Sequence, residues 1–433
     1  MKISSVKGFR DILPAEAGRR RELLEAAVRV LETYGYREIE LPLLERGELF
    51  SRSVGATSDI VEKEMYAFED RDGTLVALRP EGTASVVRAY IESGMTRSSP
   101  VARLYYQGPM FRRERPQKGR FRQFTQIGAE LLGRDDPESD AEAVCLIADI
   151  FAAAGIDGIR IEINSLGDTA CRPSHREALV AYGRERVDAL CNDCRVRMER
   201  NPLRLLDCKQ ERCRELMAEA PVMLDFLCGA CKSHHERVLE LLAAAGVPVQ
   251  PNPRMVRGLD YYCRTAFEIL APGLGAQDAV GGGGRYDGLV AELGGPDTAG
   301  VGFALGVERM VLAGGDRNEE ASASGLMVAP LGDAAAAPAL VIARRLRAAG
   351  REVALGASDR KLKAQLKRAD REGVRYVVII GEDELKSGKG TVRDLVARQD
   401  YPSCFELDES AGAILDALER ASSAANGGPR GEA

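Results

Sequence analysis

The sequence predicts an α+β fold, in which a mostly antiparallel sheet with flanking helices is followed by a smaller α/β domain. Three observations predict it. Before residue 170, short alternating strand patterns and an amphipathic helix are mixed without a strict βαβ order. A helix-rich stretch over about residues 170–250 interrupts this pattern. After residue 325, buried strands alternate with helices.

The first domain, residues 1–313, begins with a predicted helix over residues 15–34. Gly35 is placed to end this helix, and its apolar residues recur at helical spacing: Leu24, Ala27, Val28 and Leu31. Residues 36–42 then alternate as a strand with one buried face, which Pro42 restricts to a sheet edge or a strand end. Further strands are predicted at residues 101–106 and 159–163, before the helical insertion.

The second domain, residues 326–421, follows a segment of linker composition over residues 314–325. A mostly parallel sheet is predicted there, with strands at 326–329, 353–355 and 376–380 and helices at 339–349 and 361–372. The last residues, 422–433, are small and polar, which predicts a disordered tail.

Composition bounds the class of protein more than its function. The 433 residues carry a formal net charge of -6, so no overall positive field attracts polyanions, although a local basic face would suffice for nucleic acid. No apolar run approaches the roughly 20 residues of a membrane helix, and the start lacks a secretion signal. We therefore expect a cytoplasmic protein with no membrane partner, whose ten cysteines are free or bind metal.

The segment from Tyr106 to Glu130 carries the strongest chemical signal. Five arginines lie there among glycine, proline and aromatic residues: Arg112, Arg113, Arg115, Arg120 and Arg122. A strand–loop–strand hairpin would bring them to one surface, where guanidinium groups suit phosphate and the ring of Phe124 suits a purine. From the residues alone, a nucleotide site and a solvated basic hairpin at a sheet edge are equally consistent.

This segment resembles motif 2 of the class II aminoacyl-tRNA synthetases. Residues 36–42 and the helix before them are similar to motif 1, the dimer-forming element. Residues 300–309 (GVGFALGVER) are similar to motif 3, a strand and a helix with a nucleotide-binding arginine. The resemblance implies the class II antiparallel sheet with flanking helices, a homodimer, and use of ATP with Mg²⁺.

Three further peptides indicate which synthetase family is involved. Residues 257–262 (RGLDYY), 283–289 (GGRYDGL) and 78–83 (LRPEGT) resemble the signature peptides and the amino-acid loop of the histidyl-tRNA synthetases. The resemblance covers essentially the whole chain, and its C-terminal part is similar to the anticodon-binding domain of related synthetases. It implies a ligase that activates L-histidine with ATP to histidyl-adenylate and transfers it to the 3′ end of tRNA(His).

The resemblance also implies roles for individual residues. Arg257 and Arg112 would be catalytic, binding the carboxylate and the α-phosphate. The histidine-binding residues would be Glu81, Thr83, Arg112, Gln126, Glu130, Arg257, Tyr261 and Tyr262. The ATP-binding residues would be Arg112, Glu114, Arg120, Phe124 and Arg309, and Arg115 and Gln117 would contact the acceptor end of the tRNA. For each tyrosine or glycine taken alone, core packing or turn geometry is the favoured interpretation, and only the conjunction of the motifs favours a site.

A basic helix in the second domain is a candidate surface for tRNA. Leu362, Leu366 and Ala369 give it an apolar stripe, and its opposite face is positive through Lys361, Lys363, Lys367 and Arg368. The default interpretation of such a face is simple solvation. After a tRNA-charging core, contacts with the anticodon stem are the preferred interpretation.

The insertion contains two CxxC pairs, Cys191–Cys194 and Cys228–Cys231, which together predict one tetrahedral structural zinc site. The histidyl-tRNA synthetases do not require zinc. Cys208, Cys213, His234 and His235 are nearby alternative ligands, and free buried thiols are the competing interpretation.

Two other functional interpretations remain open. A paralogue of these synthetases is a catalytically inactive regulatory subunit in histidine biosynthesis; it keeps the fold, but it lacks the C-terminal domain and its signature peptides are degraded. A prolyl or threonyl synthetase of the same subclass is the second, and residues 257–262 disfavour it.

Overall fold

The computed structural model describes residues 3–55, 60–275, 278–315 and 325–426. The chain separates into two compact units, Met1–Asp316 and Arg317–Ala433, and the division lies inside the predicted linker, 314–325. Residues 316–324 of that linker lie outside the described residues. None of the described helices is long and apolar enough to cross a membrane.

The first unit contains eleven strands and eleven α-helices among its described residues. The helices are α1 Pro14–Thr33, α2 Gly47–Ser53, α3 Thr83–Glu92, α4 Met95–Ser98, α5 Pro137–Ala153, α6 Arg172–Arg184, α7 Asn192–Arg200, α8 Glu211–Leu216, α9 Gly229–Ala244, α10 Leu289–Glu292 and α11 Val307–Ala313. The strands are β1 Arg37–Glu38, β2 Leu44–Arg46, β3 Tyr66–Glu69, β4 Leu75–Leu78, β5 Ala102–Phe111, β6 Gln123–Leu132, β7 Arg160–Ser165, β8 Gln250–Pro251, β9 Cys263–Leu270, β10 Ala279–Arg285 and β11 Gly300–Gly306.

Eight of these strands form the main sheet, in the order β1-β5-β6-β11-β10-β9-β7-β8. The six central strands are antiparallel, and the end pairs β1–β5 and β7–β8 are parallel. The predicted antiparallel sheet with flanking helices is therefore confirmed. Strand β1 is much shorter than the predicted 36–42. Ile39 still donates to the Tyr105 carbonyl at 2.8 Å, but Pro42 has no N–H to continue the ladder.

The two faces of the main sheet have different roles. On β6, Ile127, Ala129 and Leu131 point into a large apolar core formed with α1, α5, α9 and α11. Because side chains alternate along a strand, Gln126 and Glu130 point to the opposite face. That face packs against α3 and α10 through a smaller cluster that includes Tyr106 and Tyr286. The long helices thus support the sheet from behind and leave the other face for a site.

A buried ionic cluster joins the helical insertion to the sheet. Asp140 on α5 accepts hydrogen bonds from the Arg285 Nε at 2.9 Å and from the His234 Nε2 at 2.7 Å. Arg285, Asp140 and His234 are all buried. A buried arginine requires such a partner, because an unpaired buried charge is strongly destabilising. His234, on the last helix of the insertion, is thereby engaged in holding α9 to the sheet.

The second unit is built on a five-stranded mixed sheet in the order β13-β12-β14-β15-β16. Its elements are β12 Gly325–Pro330, α12 Asp333–Ala348, β13 Val353–Leu355, α13 Leu362–Arg371, β14 Val374–Ile380, α14 Glu382–Ser387, β15 Lys389–Asp394, β16 Gln399–Glu406 and α15 Ala411–Asn426. The first three strands in that order are parallel, and β15 and β16 are antiparallel.

Two boundaries in this unit differ from the sequence prediction. Helix α12 begins at Asp333 rather than at residue 339 and includes Pro338, since the alanine run before the proline favours helix. Helix α15 continues to Asn426, so residues 422–426 of the predicted disordered tail are helical. Residues 427–433 lie outside the described residues.

Candidate active site

Polar side chains from four parts of the first unit converge on the face of the sheet that α1 and α5 leave open. They come from the β4–α3 connection, from the β5–β6 hairpin, from the segment before β9, and from the β10–β11 region. Most of the residues predicted to bind histidine or ATP lie on this face: Glu81, Thr83, Arg112, Phe124, Gln126, Glu130, Arg257, Tyr261 and Tyr262.

Glu130 lies fully buried at the centre of this face. One carboxylate oxygen accepts a hydrogen bond from the Thr83 hydroxyl at 2.6 Å, and the other accepts one from the Tyr286 hydroxyl. Burial raises the pKa of Glu130 to about 8, although both hydrogen bonds act to lower it. The site therefore holds a carboxyl group that titrates near neutral pH, which is unusual for a purely structural residue.

Glycine makes room for this carboxyl group. A Cβ atom on Gly302 of β11 would lie 1.8 Å from the Glu130 Oε2, so no larger residue fits while Glu130 keeps its place. Gly302 and Glu130 are direct partners in the β6–β11 ladder. Gly302, within the segment similar to motif 3, is thus explained by the close approach of the Glu130 carboxyl group to the backbone of β11.

Glu81 is a second buried carboxylate, at the start of α3. Its two oxygens accept backbone hydrogen bonds from Thr83 at 2.6 Å and from Ala84 at 2.9 Å. Burial raises the pKa of Glu81, and the nearby positive charge of Arg112 acts in the opposite direction. A cationic group that bound here would therefore be favoured by charge, close to the carboxyl group of Glu130.

Arg257 precedes β9, and its side chain packs over the face of β9 and β10. Its Nη1 donates to Glu268 at 2.7 Å, and its guanidinium carbon is 5.8 Å from the centre of the Tyr262 ring. A Cβ atom on Gly282 would lie 2.5 Å from the Arg257 Nη2, so the glycine strand also makes room for this side chain. The Nε of Arg257 and the Oε1 of Gln126 are buried and have no hydrogen-bond partner among the described residues. Buried polar atoms of this kind suit a polar ligand.

Arg112 and Phe124 face each other across the base of the β5–β6 hairpin. The Arg112 Nε donates to the Pro80 carbonyl at 2.8 Å, and its guanidinium carbon is 5.3 Å from the centre of the Phe124 ring. Farther out, Arg120 pairs with Glu114 at 3.1 Å. Burial, followed by the charge of Arg120, holds the pKa of Arg309 below its usual range. Neighbouring cations beside an aromatic ring are suited to a polyphosphate with a purine base.

The tip of the hairpin contains the two residues predicted to contact the acceptor end of tRNA. Gln117 and Arg120 exchange backbone hydrogen bonds of 2.9 and 3.1 Å, which closes a tight turn at the tip of the hairpin. Arg115 and Gln117 are exposed on this turn. In the second unit, Lys361, Lys363, Lys367 and Arg368 are all exposed, while Leu362, Leu366 and Ala369 pack inward. The predicted division of that helix into basic and apolar faces is observed.

Two contributors to the site had no role in the sequence analysis. Tyr286 lies within the glycine peptide, but only the fold shows that its hydroxyl donates to Glu130. Glu308, next to Arg309, accepts from the Thr125 amide with both oxygens at 3.0 Å and from the Arg20 Nη1 at 2.8 Å. It therefore fixes α11, and with it Arg309, against β6. In the sequence, the only sign of this role was that Glu308 is adjacent to Arg309, which was predicted to bind ATP.

The predicted zinc site is wrong in its pairing. Cys191 and Cys194 converge with Cys208 and Cys213, whereas Cys228 and Cys231 converge with Asp168 and Cys171. The two CxxC pairs thus belong to different clusters. The alternative ligand His234 bonds to Asp140 instead, and His235 is in neither cluster.

Comparison with known proteins identifies the family. The sequence profile described as "Histidyl-tRNA synthetase" matches residues 8–310, and the profile described as "Anticodon binding domain" matches residues 326–416. The chain belongs to the histidyl-tRNA synthetase family. The resemblance found in the sequence peptides, and the class II fold that it implied, are thereby confirmed.

Individual relatives agree over nearly the full length. The chain is 51% identical over 391 residues to the histidine–tRNA ligase of Geobacter metallireducens, which covers 90% of this chain and 94% of the relative. It is 49% identical to that of Trichlorobacter lovleyi, over 96% of this chain and 99% of the relative. A crystal structure of apo histidyl-tRNA synthetase from S. aureus matches with a TM-score of 0.79 and 34% identity, covering 96% of this chain and all of that one.

The raised pKa of Glu130 predicts a pH dependence of stability. Between the ordinary value of 4.5 and about 8, folded Glu130 retains a proton that the unfolded chain releases. Its contribution is fully present below pH 4.5 and is lost as the pH rises to about 8, at roughly 1.4 kcal/mol per pH unit within that window. We expect Glu130→Gln to remove this slope from the free energy of unfolding, measured by urea denaturation over that range. Equal slopes for both chains would contradict it.

Proposed function

We propose that this chain is a histidine–tRNA ligase that activates L-histidine with ATP and transfers it to tRNA(His). The observation that carries the proposal is the buried Glu130 carboxyl group, which accepts hydrogen bonds from the hydroxyls of Thr83 and Tyr286. An imidazole ring has one donor and one acceptor nitrogen, and can interact with both a carboxyl group and a tyrosine hydroxyl. An apolar side chain of similar size would leave the buried Glu130 without compensation.

Histidine binding divides among the remaining pocket residues. Glu81, with Thr83 and Gln126, provides acceptors for the α-ammonium group, and Arg257 together with Arg112 binds the carboxylate. The imidazole ring lies between Glu130 and Tyr262, with Tyr261 packed against Tyr262 at a ring separation of 4.7 Å. The buried Oε1 of Gln126 supports this assignment, because it has no hydrogen-bond partner among the residues described.

ATP occupies the hairpin end of the same face. The adenine ring stacks on Phe124 and is bordered by Arg309, while Arg120 and Glu114 lie toward the distal phosphates. The support is the position of Arg112 over the Phe124 ring, together with the nearness of Arg120 to Arg309. Magnesium arrives with ATP and neutralises charge on its phosphates.

The activation step needs positioning more than proton transfer. A carboxylate oxygen of histidine attacks the α-phosphorus, a new oxygen–phosphorus bond forms, and pyrophosphate leaves with the electrons of the broken bond. Because the carboxylate is already ionised, no general base is needed. Arg257 and Arg112 hold the carboxylate and α-phosphate together and offset the charge that develops on phosphorus. In the second step, a hydroxyl of the terminal ribose attacks the histidyl carbonyl, its proton passes to a phosphate oxygen of the adenylate, and AMP leaves with the electrons of the broken bond.

The transfer step requires contacts with tRNA, for which two surfaces are proposed. Arg115 and Gln117 contact the acceptor end, and the basic face of α13 contacts the anticodon stem. The exposed positive charges of Lys363 and Lys367 support the second assignment. We place the enzyme in the cytoplasm, where its tRNA and ATP are available.

We also propose a homodimer, as the family resemblance implies. The small sheet β2-β4-β3 follows the motif 1 region and exposes apolar residues that a partner chain would cover. Leu43, Leu44, Phe68 and Leu75 are each 45–50% exposed. Leu44 and Phe68 lie on the same face of this sheet, because their β4 partners Leu78 and Val76 are two residues apart, and exposed apolar side chains on one face are typical of an interaction surface.

The alternative, a regulatory subunit without catalytic activity, is less well supported. Such a paralogue would have no need of Arg112, Arg257 and Arg309 together, and this chain also matches the anticodon-binding profile over residues 326–416. A prolyl or threonyl ligase would not need a buried carboxyl group in its side-chain pocket. Both alternatives predict a different outcome in the following assay.

Exchange of labelled pyrophosphate into ATP, run with each amino acid separately, tests the proposal. We expect exchange with histidine alone, and a loss of about 10²–10³-fold for Arg257→Ala, because one preorganised charge on the α-phosphate is removed. Exchange with another amino acid would keep the class and overturn the pocket assignment. No exchange with any amino acid, from a folded protein, would favour the regulatory subunit.

A matched pair of glycine variants separates positioning from folding in the same assay. Gly282→Ala places a methyl group 2.5 Å from the Arg257 Nη2 and should reduce exchange by about 10²-fold, since small displacements of reacting groups are costly. Gly288→Ala, in the adjoining peptide, meets no atom within 4 Å and should leave exchange unchanged. Equal activities would show that the position of Arg257 is not critical.

Sedimentation of the full chain, with and without tRNA(His), tests the assembly. Alone, it should sediment at twice the mass of one chain.

Replacing Lys363 and Lys367 by alanine should weaken tRNA binding and its salt dependence while histidine-dependent exchange is unchanged, because these residues lie in the other unit. A monomer would contradict the dimer, and unchanged tRNA affinity would contradict the α13 contact.

A further inference from the structure

Two compact groups of metal-ligating side chains lie in and beside the helical insertion, apart from the activation chemistry. The first group is Cys191, Cys194, Cys208 and Cys213; the second is Asp168, Cys171, Cys228 and Cys231. Within each group, the four ligand atoms all lie within 4.8 Å of one another. Each group thus offers the four ligands of a closed tetrahedral site.

The spacing in the first group fits a metal better than it fits a disulfide. The sulfur atoms of Cys191 and Cys208 are 3.9 Å apart. Four sulfurs at about 2.3 Å from a central tetrahedral zinc lie about 3.8 Å from each other. A disulfide would require about 2.05 Å, and the four cysteines of this group are free.

Backbone amides donate hydrogen bonds to two sulfur atoms of this first group. The Cys194 amide donates to the Cys191 sulfur at 3.4 Å, and the Cys191 amide donates to the Cys213 sulfur at 3.3 Å. Cys191 caps the start of α7, which brings the first pair of sulfurs together, and Cys213 lies on α8. Such outer hydrogen bonds are typical of metal-bound ligands, because they favour the charged form and fix its orientation.

The second group repeats this arrangement with one oxygen ligand. The Cys231 amide donates to the Cys228 sulfur at 3.5 Å, and the Cys228 amide donates to the Cys171 sulfur at 3.1 Å. The Asp168 Oδ1 accepts backbone hydrogen bonds from Ala170 and Cys171, while its Oδ2 faces the Cys228 sulfur at 4.0 Å. One carboxylate oxygen is thereby anchored and the other is directed at the sulfurs.

We propose that each chain binds two structural zinc ions, one in the Cys191–Cys194–Cys208–Cys213 group and one in the Asp168–Cys171–Cys228–Cys231 group. Sulfur-rich, four-coordinate sets favour zinc over magnesium or calcium. Because all four positions are occupied by protein ligands, neither ion has an open position for substrate. Their role is to hold the insertion together, where the local apolar clusters are small.

Both ions would support the peptide that contains Arg257. Asn201, between the cysteines of the first group, donates to the Asp260 Oδ1 at 2.8 Å. Arg172, next to Cys171 in the second group, donates to the Tyr262 carbonyl. Loss of either metal should therefore loosen residues 257–262 as well as the insertion itself.

The test is metal content of the full chain, purified under reducing conditions without chelator. Native mass spectrometry of the unmodified chain should show two zinc ions, which needs no variant to fold. Elemental analysis should then give one ion for Cys208→Ser and one for Cys171→Ser. Cys208 belongs only to the first group and Cys171 only to the second, so each variant removes a ligand from a single group. Cys145→Ser, a cysteine on α5 outside both groups, should keep two.

The outcomes separate clearly. Two ions, with the loss of one in each variant and a lower melting temperature in both, would support the proposal. Fewer than two ions in the unmodified chain would overturn it, as would a count that neither variant changes. None of these outcomes depends on ligase activity, so failure of the two-site proposal would leave the assigned function untouched.

Discussion

Burial of Glu130 is the constraint on which the pocket depends. The carboxyl group is accommodated because Gly302 has no side chain and because Thr83 and Tyr286 donate to its two oxygens. These donors come from the start of α3 and from the end of β10, so the carboxyl group connects three parts of the chain. Burial raises the pKa of Glu130 to about 8, because the charged carboxylate loses its hydration. A bound polar ligand would offset part of this loss of hydration.

The main sheet separates the candidate site on one face from the large apolar core on the other. Along β6, one set of alternating side chains enters the core with α1, α5 and α9, and the other set faces the candidate site. The cluster of Asp140, Arg285 and His234 then holds the insertion to that core. Residues 257–262 lie between the sheet and the insertion. The position of Arg257 therefore depends on contacts of its peptide with both the sheet and the insertion.

Part of this could be predicted from the sequence, because the motif 2 segment contains Arg112 and Glu130, a signature peptide contains Arg257, and the fold brings all three to one face of the sheet. What could not be predicted depends on contacts between distant residues. The Tyr286–Glu130 bond joins positions 156 residues apart. The cysteine pairing failed for the same reason. A CxxC spacing gives two sulfurs at a helix start, but which other ligands complete the set depends on how α6 to α9 fold back on one another.

The central claim is that Glu130 recognises the side chain of histidine and not ATP. Its most direct test is pyrophosphate exchange by Glu130→Gln with each substrate varied in turn. Glutamine replaces one acceptor oxygen of Glu130 by an NH2 donor, and a buried group left without its partner costs about 1–3 kcal/mol, so the KM for histidine should rise by roughly 5–150-fold while the KM for ATP is unchanged. An unchanged KM for histidine, or an equal rise for both substrates, would contradict the account.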